Sequence, residues 1–199
     1  VIGNQGPHFS AGANLMLVLG AAMQQQWDFV GNIALQLQKI GMRMKYCKRP
    51  VIGAPHHYTF GGGLELNLHT ARIVAAGETY AGLVEMGVGM IPAGGGTKEM
   101  LVRALEYLPA NVQGDPFPFV RRAFENIAMA KVSTSGAEAI DLGYFRASDV
   151  IIPNADQQIR RARDICRGLI LAGYTPPPPP RLHALGESAK AAFRAALWG

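Results

Sequence analysis

The chain has 199 residues, of which 49% are hydrophobic, enough for the core of one domain and incompatible with a disordered polymer. Its 19 basic and 14 acidic residues give a formal charge of +5, with the basic residues scattered, which argues against nucleic-acid binding and suits a phosphate-bearing small molecule. The longest apolar run, Leu15 to Met23, falls far short of the ~20 residues of a membrane span, and Cys47 and Cys166 form no C-x-x-C. The expectation is a cytoplasmic protein with two buried thiols and no metal held by cysteine.

Val1-Ile2 reads as the end of a strand entering the loop Gly3-Asn4-Gln5-Gly6-Pro7, as in a piece of a longer polypeptide, and Phe9 to Asn14 as an irregular glycine-containing crossing. From Trp27 to Lys45 the apolar residues Phe29, Ile33, Leu37, Ile40 and Met44 recur every three or four positions, one face of an amphipathic helix that Arg49-Pro50 bars from continuing. Val51 to Ala54 reads as a strand, Leu64 to His69 as a short helix opening on a triple glycine, and Arg72 to Ala76 as the next strand. Helical spacing returns over Thr97 to Leu108, and Ser135-Gly136-Ala137-Glu138 has capping-box spacing for a further helix. Val150 to Ile152 is a strand and Asp156 to Ala172 a basic amphipathic helix. Strands alternating with helices predict a layered α/β fold. Pro176 to Pro180 forms a stiff connector of polyproline type, which sets Leu182 to Trp198 apart as a helical appendage.

Two acidic residues stand just beyond glycine-containing turns: Glu65 in Gly61-Gly62-Gly63-Leu64-Glu65 and Glu85 in Ala81-Gly82-Leu83-Val84-Glu85, with Ile91-Pro92-Ala93-Gly94-Gly95-Gly96 downstream. Two carboxylates on tight backbone can split acid and base duties if their surroundings push their pKa values apart. Backbone without Cβ can also approach a ligand and aim N–H groups at developing negative charge. Taken singly, a glutamate beside glycines is more often solvated or capping. Gly94-Gly95-Gly96-Thr97-Lys98 lacks the G-K-[ST] order of a phosphate loop and reads as a helix start. Ser10 has no glycine two positions before it and is no nucleophile elbow. Adjacent His56 and His57 would face opposite sides of a strand, a poor metal pair. Met16, Met23, Met42 and Met44 read as gap-fillers of an apolar channel.

In combination these stretches resemble the enoyl-CoA hydratase/isomerase (crotonase) superfamily, from residue 1 to about Tyr174. Phe9-Ser10-Ala11-Gly12-Ala13-Asn14-Leu15 resembles the family's F-x-x-G-A-D-[LI] loop, and Arg49-Pro50-Val51-Ile52-Gly53-Ala54 with Gly61 to Glu65 resembles K-P-[VT]-I-A-A…L-G-G-G-x-E. Ala81 to Pro92 resembles F-G-x-P-E-x-x-x-G-[LI]-x-P. Asn14, Val84 and His57 depart from the pattern, where the family often has Asp, Pro and Gly.

The resemblance implies a spiral of ββα units, its N-terminal unit truncated here. Residues 1–175 would be the acyl-CoA-binding catalytic domain, 176–181 a proline-rich linker and 182–199 a helical tail. The N–H groups of Ala13 and Gly62 would form an oxyanion hole, Glu65 and Glu85 would be the catalytic acids, and Ser10, Ala11, Gly12 and Gly61 would line the substrate. Two acids at this interval are typical of family members that hydrate, whereas isomerases usually retain one. The implied activity is hydration of a 2-enoyl-CoA in fatty-acid β-oxidation, with coenzyme A as substrate carrier and neither cofactor nor metal. The alternatives are a double-bond isomerase or a docking module acting through the tail. Implied partners are further copies of the chain or a fused NAD-dependent 3-hydroxyacyl-CoA dehydrogenase part, although no dinucleotide fingerprint occurs in these residues.

Overall fold

The computed structural model describes residues 1–106, 115–180, 182 and 185–198. Its strands are β1 (Ile52–Gly53), β2 (His57–Phe60), β3 (Arg72–Ala76), β4 (Thr79–Gly82) and β5 (Val150–Ile152). Its helices are α1 (Leu15–Met23), α2 (Trp27–Lys45), α3 (Gly62–Leu68), α4 (Gly96–Glu106), α5 (Phe117–Ala128), α6 (Gly136–Asp141), α7 (Gln158–Leu171) and α8 (Gly186–Trp198). Short 3-10 turns at Glu85–Val88 and Ala155–Gln157 complete the set.

One parallel sheet runs β1-β3-β5, and β2 pairs with β4 in a second parallel sheet. Central β3 is covered on both faces, which accounts for its unbroken apolar run Ile73-Val74-Ala75-Ala76. Ile73 and Ala75 face a core built from Leu64 and Leu68 of α3, Met100 and Ala104 of α4, Ala123 of α5, Ala139 of α6, and Tyr144 and Phe145. Val74 points the other way, against Ile52, Ala54 and Ala162 of α7. Each fully buried large side chain here, such as Leu64 or Ile73, contributes about 1.5–3 kcal/mol.

The second sheet places the chemistry. Its register runs from His57 opposite Thr79 to Phe60 opposite Gly82, and the Gly61 N–H donates to the Gly82 carbonyl at 2.9 Å. The turn after β2 and the turn after β4 therefore emerge side by side at the carboxyl ends of two parallel strands, where open α/β sheets bind ligands. Ser10 adds a rung to β2, its N–H donating to the Tyr58 carbonyl at 2.9 Å and its carbonyl accepting from Phe60 at 3.0 Å. Ile2 does the same beside β1.

Helix α2 and strands β3 and β5 match the sequence reading residue for residue. The helix expected over Thr97 to Leu108 is α4 through Glu106, and its last two expected residues lie outside the described ones. Ser135 caps α6 as expected, accepting from the Glu138 N–H at 3.1 Å, whereas the Glu138 carboxylate reaches the N–H of Thr134 and not that of Ser135. Helix α8 begins at Gly186 and lies against α5 through Phe193, whose ring centre is 4.5 Å from Phe124 and 5.2 Å from Phe117.

Several expectations need correction. Leu15 to Met23 is a helix, capped by Asn14, and Met16 and Met23 on it are 77% and 78% exposed, so they fill no channel. Met42 is exposed as well, and Met44 is half-buried. Cys47 and Cys166 are half-buried, because Cys166 sits at the edge of the α7 core.

Candidate active site

Gly61 turns the chain from β2 into α3 with φ +53° and ψ −126°, a backbone that favours glycine. The same residue leaves room for its neighbours. A Cβ placed there would stand 3.0 Å from Glu85 Oε1 and 3.7 Å from the Gly12 Cα, so Gly12, Gly61 and Glu85 surround one point. Ser10 tucks beneath Gly63, and its Oγ accepts from the Gly12 N–H at 3.1 Å, which holds the Ser10 to Gly12 crossing against the triple glycine. Ala11, Gly12 and Ala13 are exposed on the open side, and Gly62 is half-buried.

The Gly62 N–H heads α3 and has no acceptor within that helix. Neither it nor the Ala13 N–H pairs with another group among the described residues. Both amides are thus free to donate to a ligand.

Glu65, in the first turn of α3, is 2% exposed, and its Oε1 accepts from the Gly96 N–H at 2.7 Å. Its carboxylate caps the start of α4, where the helix dipole favours negative charge. Burial pushes the Glu65 pKa up, while the amides of Gly96, Gly94 and Gly95 pull it back. Glu65 Oε2 lies between the two glycine turns, 4.0 Å from where a Cβ on Gly62 would stand and 2.5 Å from one on Gly94.

Glu85 opens the 3-10 turn after β4 and is half-buried. Burial raises its pKa to about 7, and the nearby Glu65 charge adds to the rise. Its Oε2 is buried without a hydrogen-bond partner. Burial thus raises both carboxyls, but three amides counter the rise at Glu65, whereas Glu85 has no such partner and is poised to carry a proton near neutral pH.

The other candidates separate from this site. His56 Nε2 lies 2.9 Å from the Gly6 carbonyl, and His57 faces Glu78 at 3.6 Å on the surface. Among the described residues, no three His, Cys, Asp or Glu side chains could share a metal ion. Sequence reasoning treated Gly94 to Gly96 as a helix start and missed that their amides clasp Glu65. It also missed Leu37 of α2, whose Cδ2 packs beneath Gly62 and Gly94. The available signal was the second glycine run, Gly94 to Gly96, downstream of Gly61 to Gly63.

A statistical description of the enoyl-CoA hydratase/isomerase family matches residues 1–111. The chain belongs to the enoyl-CoA hydratase/isomerase family. A relative from Bacillus subtilis, named Probable 3-hydroxyacyl-CoA dehydrogenase, is 40% identical over 97% of this chain and 24% of its own length. The chain thus spans about a quarter of that family relative. Among solved structures, an enoyl-CoA hydratase from Polaromonas sp. JS666 superposes with TM-score 0.66 at 22% identity, covering 84% of this chain and 57% of that one. An enoyl-CoA hydratase from Bacillus anthracis gives TM-score 0.65 at 24% identity, with coverages of 84% and 57%. At such identities the structures establish the crotonase fold of the family, which the α/β architecture shares.

Proposed function

We propose that this chain hydrates 2-enoyl-CoA thioesters to 3-hydroxyacyl-CoA. The observation that carries the reading is the unequal carboxylate pair, Glu65 clasped by Gly96 and Glu85 with an unpartnered buried oxygen, beside two unpaired amides. The thioester oxygen sits between the N–H groups of Ala13 and Gly62, with Ser10, Ala11, Gly12 and Gly61 as the walls around it. Glu65 takes a proton from water through Oε2, and the resulting hydroxyl adds to C3. The C2=C3 electron pair moves toward the thioester, building charge on its oxygen that the two amides offset by several kcal/mol. Glu85 delivers its proton to C2, and proton exchange between the two acids through bulk water restores both. Coenzyme A is the handle of the substrate, and no step calls for a metal.

Replacing Glu85 by Gln in the full chain tests this. Hydration of a 2-enoyl-CoA, followed by loss of the conjugated thioester absorbance, should vanish while acyl-CoA binding persists. An unchanged hydration rate overturns the reading. Parallel assays of 2-enoyl and 3-enoyl substrates distinguish hydration from double-bond shift, because an isomerase converts the 3-enoyl compound and needs only one acid.

A further inference from the structure

Behind Glu65 lies a buried ionic cluster for which the proposed reaction has no use. Glu99 of α4 is fully buried, and both its oxygens accept from the Lys45 ammonium at 2.8 Å. Lys98 also pairs with Glu99, and His69 Nε2 stands 3.5 Å from Glu99 Oε1 and 3.2 Å from Lys98 Nζ. Such a cluster costs desolvation energy and is weak evidence for stability by itself. Its geometry has a direction, however.

His69 follows the last turn of α3, where carbonyls lack intrahelical partners. Its Nδ1 lies 2.7 Å from the main-chain carbonyl of Glu65. A carbonyl can only accept, so Nδ1 carries the hydrogen, and Nε2 is left to accept from the Lys98 ammonium. One tautomer satisfies both contacts. The ring is wedged between α2 and the glycine turn: a Cβ on Gly41 would come within 2.8 Å of Nδ1, and one on Gly95 within 2.7 Å of Cε1. Gly95 directly precedes Gly96, the amide that clasps the Glu65 carboxylate. His69 therefore touches both the main chain that carries this carboxylate and the turn that orients it. The charged groups facing the ring are Lys45 from α2 and Lys98 and Glu99 from α4.

We propose that His69, backed by Lys98, Glu99 and Lys45, is a positioning residue that fixes the aim of Glu65 at the substrate water. The inference rests on Glu65 being the base. Replacing His69 by Leu fills the space without a donor and should lower kcat about 10- to 100-fold, as loss of an orienting outer partner does elsewhere. KM for the acyl-CoA should stay within about twofold, since no binding contact is lost. His69→Asn, which keeps a donor near the Nδ1 position, should recover most of the rate. In a Glu65→Gln background His69→Leu should cost nothing further, because the group it aims is gone. An equal loss in both backgrounds overturns the inference, as does unchanged kcat with a lowered melting temperature, which would leave His69 a packing residue. Full hydration by Glu65→Gln alone would sink the base assignment first. Should His69→Leu fail to fold, Lys98→Met removes the partner of Nε2 from the solvent side, and an unchanged kcat there counts against the proposal.

Discussion

Glu85 should make the protein less stable as the pH rises, and its removal should relieve this. The folded-state pKa is raised from 4.5 to about 7, chiefly by burial. A carboxyl raised in this way gives its full stabilising contribution below pH 4.5 and loses it as the pH rises through about 7. A shift of this size corresponds to at most about 3 kcal/mol, and screening of a half-exposed group reduces it to about 2 kcal/mol. Glu85→Gln, which cannot ionise, should match the parent near pH 4 and exceed it by about 2 kcal/mol above pH 7.5. In a chain of this length that is a rise of about 4–8 °C in melting temperature. Paired thermal melts across pH 4 to 8 measure the difference, in which other titrating groups largely cancel, apart from Glu65, whose charge is one cause of the shift. A difference independent of pH would refute the reasoning, because Glu85 would then ionise as freely folded as unfolded.

Gly61→Ala should cost about 1–3 kcal/mol from its positive φ, and it should also slow the proposed hydration because the new Cβ would press on Glu85 Oε1. Urea titration read beside the hydration rate checks both, and a variant as stable and active as the parent would contradict the turn geometry. Phe193→Ala removes two ring contacts worth about 0.5–1.5 kcal/mol each and takes away one wall of the apolar cavity of about 480 Å³ that α4, α5 and the tail already enclose. Limited proteolysis should then cut after the proline connector several times faster, and an unaltered cutting rate would mean that Phe193 does not hold α8.

What could be read from residues alone follows from how local each signal is. Helix α2 shows because its apolar residues keep a helical period, and β3 and β5 because they are apolar runs between turns. Helix α1 hides because apolar residues fill nearly every side of Leu15 to Met23, leaving no period to detect. Strands β2 and β4 are four residues each, and β2 begins with two successive exposed residues, His57 and Tyr58, which break the inside–outside alternation. Glu65 and Glu85 stand out because the glycines and the spacing are written in order along the chain. The cluster behind Glu65 is not, since Lys45 and Glu99 lie 54 positions apart and only the packing of α2 and α4 on α3 brings them together. His69 resembles an ordinary helix-end histidine until Gly95 is seen against its ring.

The parallel pairing of β3 with β5 bears on how the chain comes to be assembled. Asp149 receives the Ile73 N–H at 2.8 Å across 76 positions, and Val74 finds its rung only at Val150. A ribosome that has just released Gly96 has already delivered both glutamates, yet the strand that flanks β3 is still to be synthesised. Closing so long a loop is slow. During that interval Ile73 to Ala76 is an uncovered apolar edge, so chaperone demand and premature aggregation should concentrate on chains halted before residue 150, with the sheet that backs α3 completed only after both glutamates have been made.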